Sequence, residues 1–175
     1  MEYDQLINNL RYGMNKDVID FVVGVSRFDY AFKAAGGFFS RDKGASPNVD
    51  WDVLVPDAFA GFDTKCADLT ETELFTRPPR DYRRIEGVAM FTSAPGPLTD
   101  TRSIFKAIWV LRKNLMHGTK GKLIGRDQAL VKDANVVLAR AYQHCSESTD
   151  GRLKRVAEIM ATTEAPQDED NGAPS

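Results

Sequence analysis

Asp100-Thr101-Arg102-Ser103-Ile104-Phe105-Lys106-Ala107-Ile108-Trp109-Val110-Leu111-Arg112-Lys113-Asn114-Leu115-Met116-His117-Gly118 is the stretch that decides the fold. Ile104, Ala107, Ile108, Leu111 and Leu115 recur at steps of three and four, which places them on one face of an α-helix. Thr99 or Asp100 supplies an N-cap oxygen, and Gly118 suits the left-handed position that closes a helix. Lys120 and Lys122 follow, where cations complement the negative helix end. A helix with one apolar stripe must bury it against other elements, so its neighbours settle the class.

Those neighbours are also helical. Downstream, Leu130, Ala134, Val137, Leu138, Ala141 and Cys145 share one face of a helix predicted from about Arg126 to Cys145. A last helix, about Gly151 to Met160, would bury Leu153, Val156, Ile159 and Met160. Upstream, Phe21, Val25, Phe28 and Phe32 stack along a helix from Asp17 to Ala35, stopped by Gly36-Gly37. Shorter pieces are expected at Leu6 to Leu10, at Trp51 to Ala60 behind an Asp50 N-cap, and at Leu69 to Phe75 before Pro78-Pro79. Gly36 to Val49 reads as a long surface loop, and Val88-Ala89-Met90-Phe91 as either a strand or a buried loop. The fold class is all-α, a helical bundle.

At 175 residues the chain suits one domain, expected over residues 1–162. Residues 163–175 combine Pro, Gly, Ala and acids without apolar periodicity and are expected to be a disordered acidic tail. The formal charge of −2 argues against nucleic acid. The tail, however, holds Glu164, Asp168, Glu169 and Asp170, and without them 23 basic residues face 21 acidic ones. The body, at about +2, is permissive for RNA.

Cys66 and Cys145 make neither a disulfide framework nor a ligand cluster, and with His117 and His144 they suggest no zinc site. Both cysteines read as small hydrophobes in a reducing compartment. The expectation is a protein with no cofactor and no metal. No apolar run is long enough to span a bilayer, and Met1-Glu2-Tyr3-Asp4 does not open a signal peptide. A cytoplasmic protein with no membrane partner is expected.

The chemistry sits at the end of the strongest helix. Leu111-Arg112-Lys113-Asn114-Leu115-Met116-His117-Gly118 gathers a guanidinium, a carboxamide and an imidazole. An imidazole near neutrality can exchange protons with a ribose 2′-hydroxyl or a leaving 5′-oxygen. A guanidinium can bind two phosphate oxygens and offset charge developing at phosphorus. Asn114 can orient either group. Lys113, Lys120, Lys122 and Arg126 are candidates to guide an RNA backbone, and equally suit a solvated basic patch.

These residues resemble the signature of the HEPN superfamily, an Arg followed after four to six residues by a His, often with a polar companion. Arg112 and His117 stand with four residues between them, and Asn114 is the polar companion, one position later than the Asn of many members. Ser26-Arg27-Phe28-Asp29-Tyr30-Ala31-Phe32-Lys33, Asp50-Trp51, Pro78-Pro79-Arg80 and Gly125-Arg126-Asp127 are similar to segments of a bacterial HEPN subgroup, so the likeness touches most of residues 16 to 146. The resemblance implies a HEPN-like helical domain that forms a homodimer through its signature helices. It also implies a metal-independent endoribonuclease leaving a 2′,3′-cyclic phosphate, often a toxin or antiphage effector. A controlling antitoxin or regulatory protein is a partner of such enzymes. The other reading is a non-catalytic HEPN-fold module that binds RNA, nucleotide or protein.

Helical geometry adds a constraint. Residues five apart differ by roughly 140° in direction, so Arg112 and His117 of one chain diverge unless the helix unwinds near Gly118. A composite site shared by two chains removes the difficulty. Plain readings stand beside these: His117 favours a helix C-terminus through the dipole, Arg112 suits a solvated flank, and Asp29 with Lys33 suits a helix ion pair. Trp51 and Trp109 read as core aromatics, and His144 as structural or exposed.

Overall fold

The structure, a computed structural model, describes residues 16–39, 48–85, 88–116 and 125–162. The first expected helix, at Leu6 to Leu10, and the tail from 163 onward lie outside those residues.

Helix α1 (Lys16–Ala35) buries Phe21, Val25, Phe28 and Phe32, the stripe its spacing predicts. Gly36 closes it at φ 75°, donating its N–H to Phe32 O at 3.2 Å, a conformation that glycine adopts without a Cβ penalty. Helices α6 (Arg126–Glu147) and α7 (Gly151–Ala161) pack on α1 and on each other to form a three-helix core. The Asp150 side chain caps α7 by accepting from Arg152 N. At the other end, Arg27 of α1 donates to Ile159 O at 3.1 Å and Met160 O at 3.3 Å, supplying donors to carbonyls of the last turn of α7.

Helix α5 (Thr101–Met116) lies beside this core. Asp100 caps it, its Oδ1 accepting from Ser103 N at 2.7 Å, while Ser103 Oγ accepts from Asp100 N at 3.2 Å. Ile104, Ala107, Ile108 and Leu111 are buried and Leu115 is partly so. Between α1 and α5 run three short helices, α2 (Leu54–Ala58), α3 (Phe62–Lys65) and α4 (Glu73–Thr76), with a 3-10 turn at Ala67–Leu69.

The short pieces depart from expectation for local reasons. Asp50 Oδ1 accepts from Asp52 N and Val53 N, at 3.1 and 2.8 Å, so Asp50 winds a turn and helix begins only at Leu54. That turn swings Trp51 inward against Phe32, 5.4 Å away. The segment expected as one helix from Leu69 to Phe75 breaks at Thr72, which is extended, with its hydroxyl on Leu69 O at 2.8 Å. Of the expected loop from Gly36 to Val49, residues 40–47 lie outside the described residues; at its ends Phe38 is fully buried, 4.8 Å from Phe32, and Phe39 bridges Val49.

The fold is mostly helical, as expected, with one small sheet added. Strands β1 (Tyr82–Ile85) and β2 (Val88–Phe91) form an antiparallel hairpin, pairing Tyr82 with Phe91 and Arg83 with Met90. Val88-Ala89-Met90-Phe91 is therefore strand, and it is no buried loop, since Val88 and Met90 are exposed. The protein is mostly helical with this one small sheet among the described residues. A two-stranded hairpin is marginal alone and needs an anchor; here α5 provides it.

Candidate functional site

The last two turns of α5 send their polar side chains in two directions. Arg112 lies back along the helix, its Cζ 4.6 Å from the centre of the Trp109 ring. Trp109 stacks on Trp51 at 5.6 Å and 14° between planes. Trp51 Nε1 donates to Asp29 Oδ1 at 3.4 Å, and Asp29 holds Lys33 at 2.7 Å. Two indoles thus connect the α1 acid to the α5 guanidinium. Trp51 is a core residue, as expected, whereas Trp109 is half-buried with Arg112 over its ring. Among the described residues Arg112 makes no hydrogen bond or ion pair, and its Nε is buried.

Lys113 and Asn114 turn to the hairpin. Lys113 Nζ meets Asp81 Oδ1 at 2.8 Å, and Asn114 Nδ2 donates to Arg80 O at 2.9 Å. Asp81 is buried and also accepts from Arg83 Nε at 2.5 Å. Burial raises its pKa, but the bonds from Lys113 and Arg83 overcome that and hold it below the usual carboxylate value. Asp81 escaped sequence reading; the signal was a lone acid in the run Arg80-Asp81-Tyr82-Arg83-Arg84.

Arg126, at the start of α6, is committed within the chain. Its Nε meets Glu73 Oε1 at 2.7 Å and its Nη2 donates to Pro78 O at 3.2 Å and also to Arg77 O. Two turns on, Asp133 Oδ2 accepts from Leu74 N at 3.0 Å. The first face of α6 therefore holds both ends of the α4 segment that leads to the hairpin. His117, Lys120 and Lys122 lie outside the described residues. Arg112, Lys113 and Asn114 are thus brought to one helix end, with Arg112 directed apart from the other two, and Arg126 to a separate bracing role.

The remaining singled-out residues are structural. Arg27 caps α7. His144 packs against Phe59 and Phe62, with ring centres at 5.3 and 5.8 Å. Burial first, and Lys65 second, lower its pKa, leaving it neutral at pH 7. Cys66 and Cys145 are fully buried, and burial pushes their thiols up to about 11 and about 12. Among the described residues, no three His, Cys, Asp or Glu side chains converge to hold a metal ion, and no helix is long and apolar enough to cross a membrane.

The fold and this helix end define a mostly helical domain with a ring-stacked guanidinium that is uncommitted among the described residues, beside a basic hairpin. Comparison with family models, curated proteins and solved structures finds no match.

Proposed function

We propose that the protein is a HEPN-type endoribonuclease that cuts RNA as a homodimer. The observation that carries the reading is the state of Arg112: its guanidinium is supported by Trp109, while its hydrogen-bonding capacity is unused among the described residues. Such a group can grip two oxygens of a phosphodiester and stabilise the phosphorane-like charge at cleavage. His117 is three residues after Asn114 and four after Lys113, a spacing that in an unbroken helix would share their side and not that of Arg112. Two copies meeting along α5 resolve the divergence, each giving an Arg and a His to one scissile phosphate.

In the reaction, one imidazole takes the 2′-hydroxyl proton as O2′ bonds to phosphorus. The partner imidazole gives a proton to O5′ as the P–O5′ bond breaks, leaving a 2′,3′-cyclic phosphate and a 5′-hydroxyl. No step calls on a metal ion or cofactor. A toxin or antiphage role, with a partner protein that restrains the cut, fits such an activity.

One observation favours a second reading, a non-catalytic module that binds RNA. The Asn114 amide nitrogen donates to Arg80 O, so it braces the hairpin. Incubating end-labelled RNA with the protein, with and without EDTA, separates the readings. EDTA-resistant cleavage that is lost in His117→Ala, with circular dichroism and dimer mass unchanged, supports the nuclease. RNA bound but uncut supports the module, and a monomeric mass argues against the composite site.

A further inference from the structure

The β1–β2 hairpin has two unlike faces. Asp81 and Arg83 alternate onto the face turned to Lys113. Arg80 and Tyr82 take the opposite face, where the register sets Phe91 across from Tyr82. The Tyr82 and Phe91 rings lie 5.0 Å apart, and Arg80 Cζ sits 5.9 Å from the centre of Phe91. Arg80 is fixed there by bonds from Nε to Thr92 O at 2.6 Å and from Nη2 to Phe91 O at 3.5 Å, with no bond to Nη1 among the described residues. This ladder of cation, ring and ring lies largely at the surface, Tyr82 being 37% exposed.

Aromatic rings interleaved with cations are what an unpaired nucleic acid strand needs: every base offers a π-face to stack, and the backbone offers a phosphate to each cation. Bases inside a duplex are already stacked on one another, so such a ladder distinguishes single strands. Charge points the same way. In the sequence, residues 80–84 carry three arginines against the single acid Asp81, and with Arg83 offset by Asp81 and Asp52 the cation offered to a polyanion on this face is Arg80. The ladder also joins the helix end directly, because Arg80 supplies the carbonyl that Asn114 holds.

We propose that the hairpin face bearing Arg80, Tyr82 and Phe91 is the platform on which single-stranded RNA lies as it reaches the end of α5. Tyr82 and Phe91 stack bases, and Arg80 binds a backbone phosphate. The inference rests on the ribonuclease reading for the site beside it, and adds the residues of this chain on which the strand lies.

The test uses full-length protein carrying His117→Ala, so that binding is read without cleavage. Its probes are a fluorescein-labelled 12-nucleotide RNA of mixed sequence and the duplex of that RNA, followed by anisotropy. Tyr82→Leu is expected to weaken single-strand binding about tenfold and to leave duplex binding unchanged, while Tyr82→Phe binds as the parent does. Arg80→Gln is expected to weaken binding and lower the slope against salt by about 1. Parental affinity in Tyr82→Leu, or an equal loss for the duplex, overturns the proposal. So does a change of molecular mass in Tyr82→Leu, which would make the hairpin a contact between chains. If Tyr82→Leu does not fold, Arg80→Gln decides, and unchanged affinity overturns the platform. Wild-type protein that binds through Tyr82 but cuts nothing retains the platform and rejects the nuclease. Wild-type protein that cuts, with Tyr82→Leu silent in binding, does the reverse.

Discussion

Arg112 rests its guanidinium over the Trp109 ring, 4.6 Å from Cζ to the ring centre, and Trp109 in turn is backed by Trp51. This geometry restricts the side chain without consuming its donors. A ring face offers electrostatic attraction worth about 0.5–1 kcal/mol at a partly exposed site, yet occupies no N–H in hydrogen bonding. On the ribonuclease proposal, that leaves the guanidinium positioned to bind a phosphate.

Arg112→Lys is therefore expected to lower kcat/KM for RNA cleavage by about a hundredfold with little change in melting temperature. An ammonium keeps the charge but loses the fork that grips two oxygens. Trp109→Phe should retain most of the activity and Trp109→Leu less. Single-turnover cleavage beside thermal melts measures both. Equal activity in Arg112→Lys would remove the guanidinium from the site.

Asp81 joins two cations from different elements, Lys113 of α5 and Arg83 of β1. Asp81→Asn is expected to cost about 1–3 kcal/mol, because the Lys113 ammonium loses its counter-charge. The pH dependence follows in sign. The folded pKa lies below the ordinary 3.8, so the stabilisation is complete above about pH 5 and drains away as the pH falls below 3.8 through the lowered folded value. Denaturant melts of wild type should weaken between pH 5 and pH 3 more steeply than those of Asp81→Asn. Parallel curves would show that the pair contributes nothing.

Arg126 braces α4 and the turn after it, since its guanidinium meets Glu73 Oε1 and the carbonyls of Arg77 and Pro78. Arg126→Ala should cost about 1 kcal/mol of stability, the size expected for a partly exposed charged hydrogen bond. Its effect on RNA should be slight, with the salt slope of binding unchanged. A slope lower by about 1 would instead assign Arg126 to a phosphate.

His144 is neutral where it packs on Phe59 and Phe62, its pKa lowered chiefly by burial. A lowered imidazole pKa makes the unfolded chain the better proton acceptor. Its contribution is thus present above about pH 6.5 and is lost as the pH falls below that value. Wild type should lose melting temperature from pH 7 to pH 5, and His144→Gln should lose less over the same range. The pH profile of cleavage should be the same in wild type and in His144→Gln, because His144 is a packing residue. A shifted activity profile would bring His144 into the reaction.

The α1, α5, α6 and α7 helices were all readable in advance because each has a period. Phe21, Val25, Phe28 and Phe32 repeat at helical steps, and Asp100 and Gly36 mark ends through chemistry that acts within a few residues. The short elements were less readable. Asp50 as an N-cap and Asp50 as the head of a turn look alike in a sequence, and the outcome depended on Trp51 finding Phe32. The hairpin was equally hidden, since a four-residue strand has too few alternations to be distinguished from a loop.

Local interactions, then, reach as far as helix, cap and charge, and to that distance the order of the residues was enough: it specified the helical class and drew attention to Arg112, Asn114 and His117. Which of the polar groups remain available is a long-range matter. Lys113 and Asn114 found Asp81 and the Arg80 carbonyl more than thirty residues away, and Arg112 found an indole backed by another distant indole. A side chain's commitments depend on partners brought close by packing, and packing is a property of the whole chain that no single stretch contains.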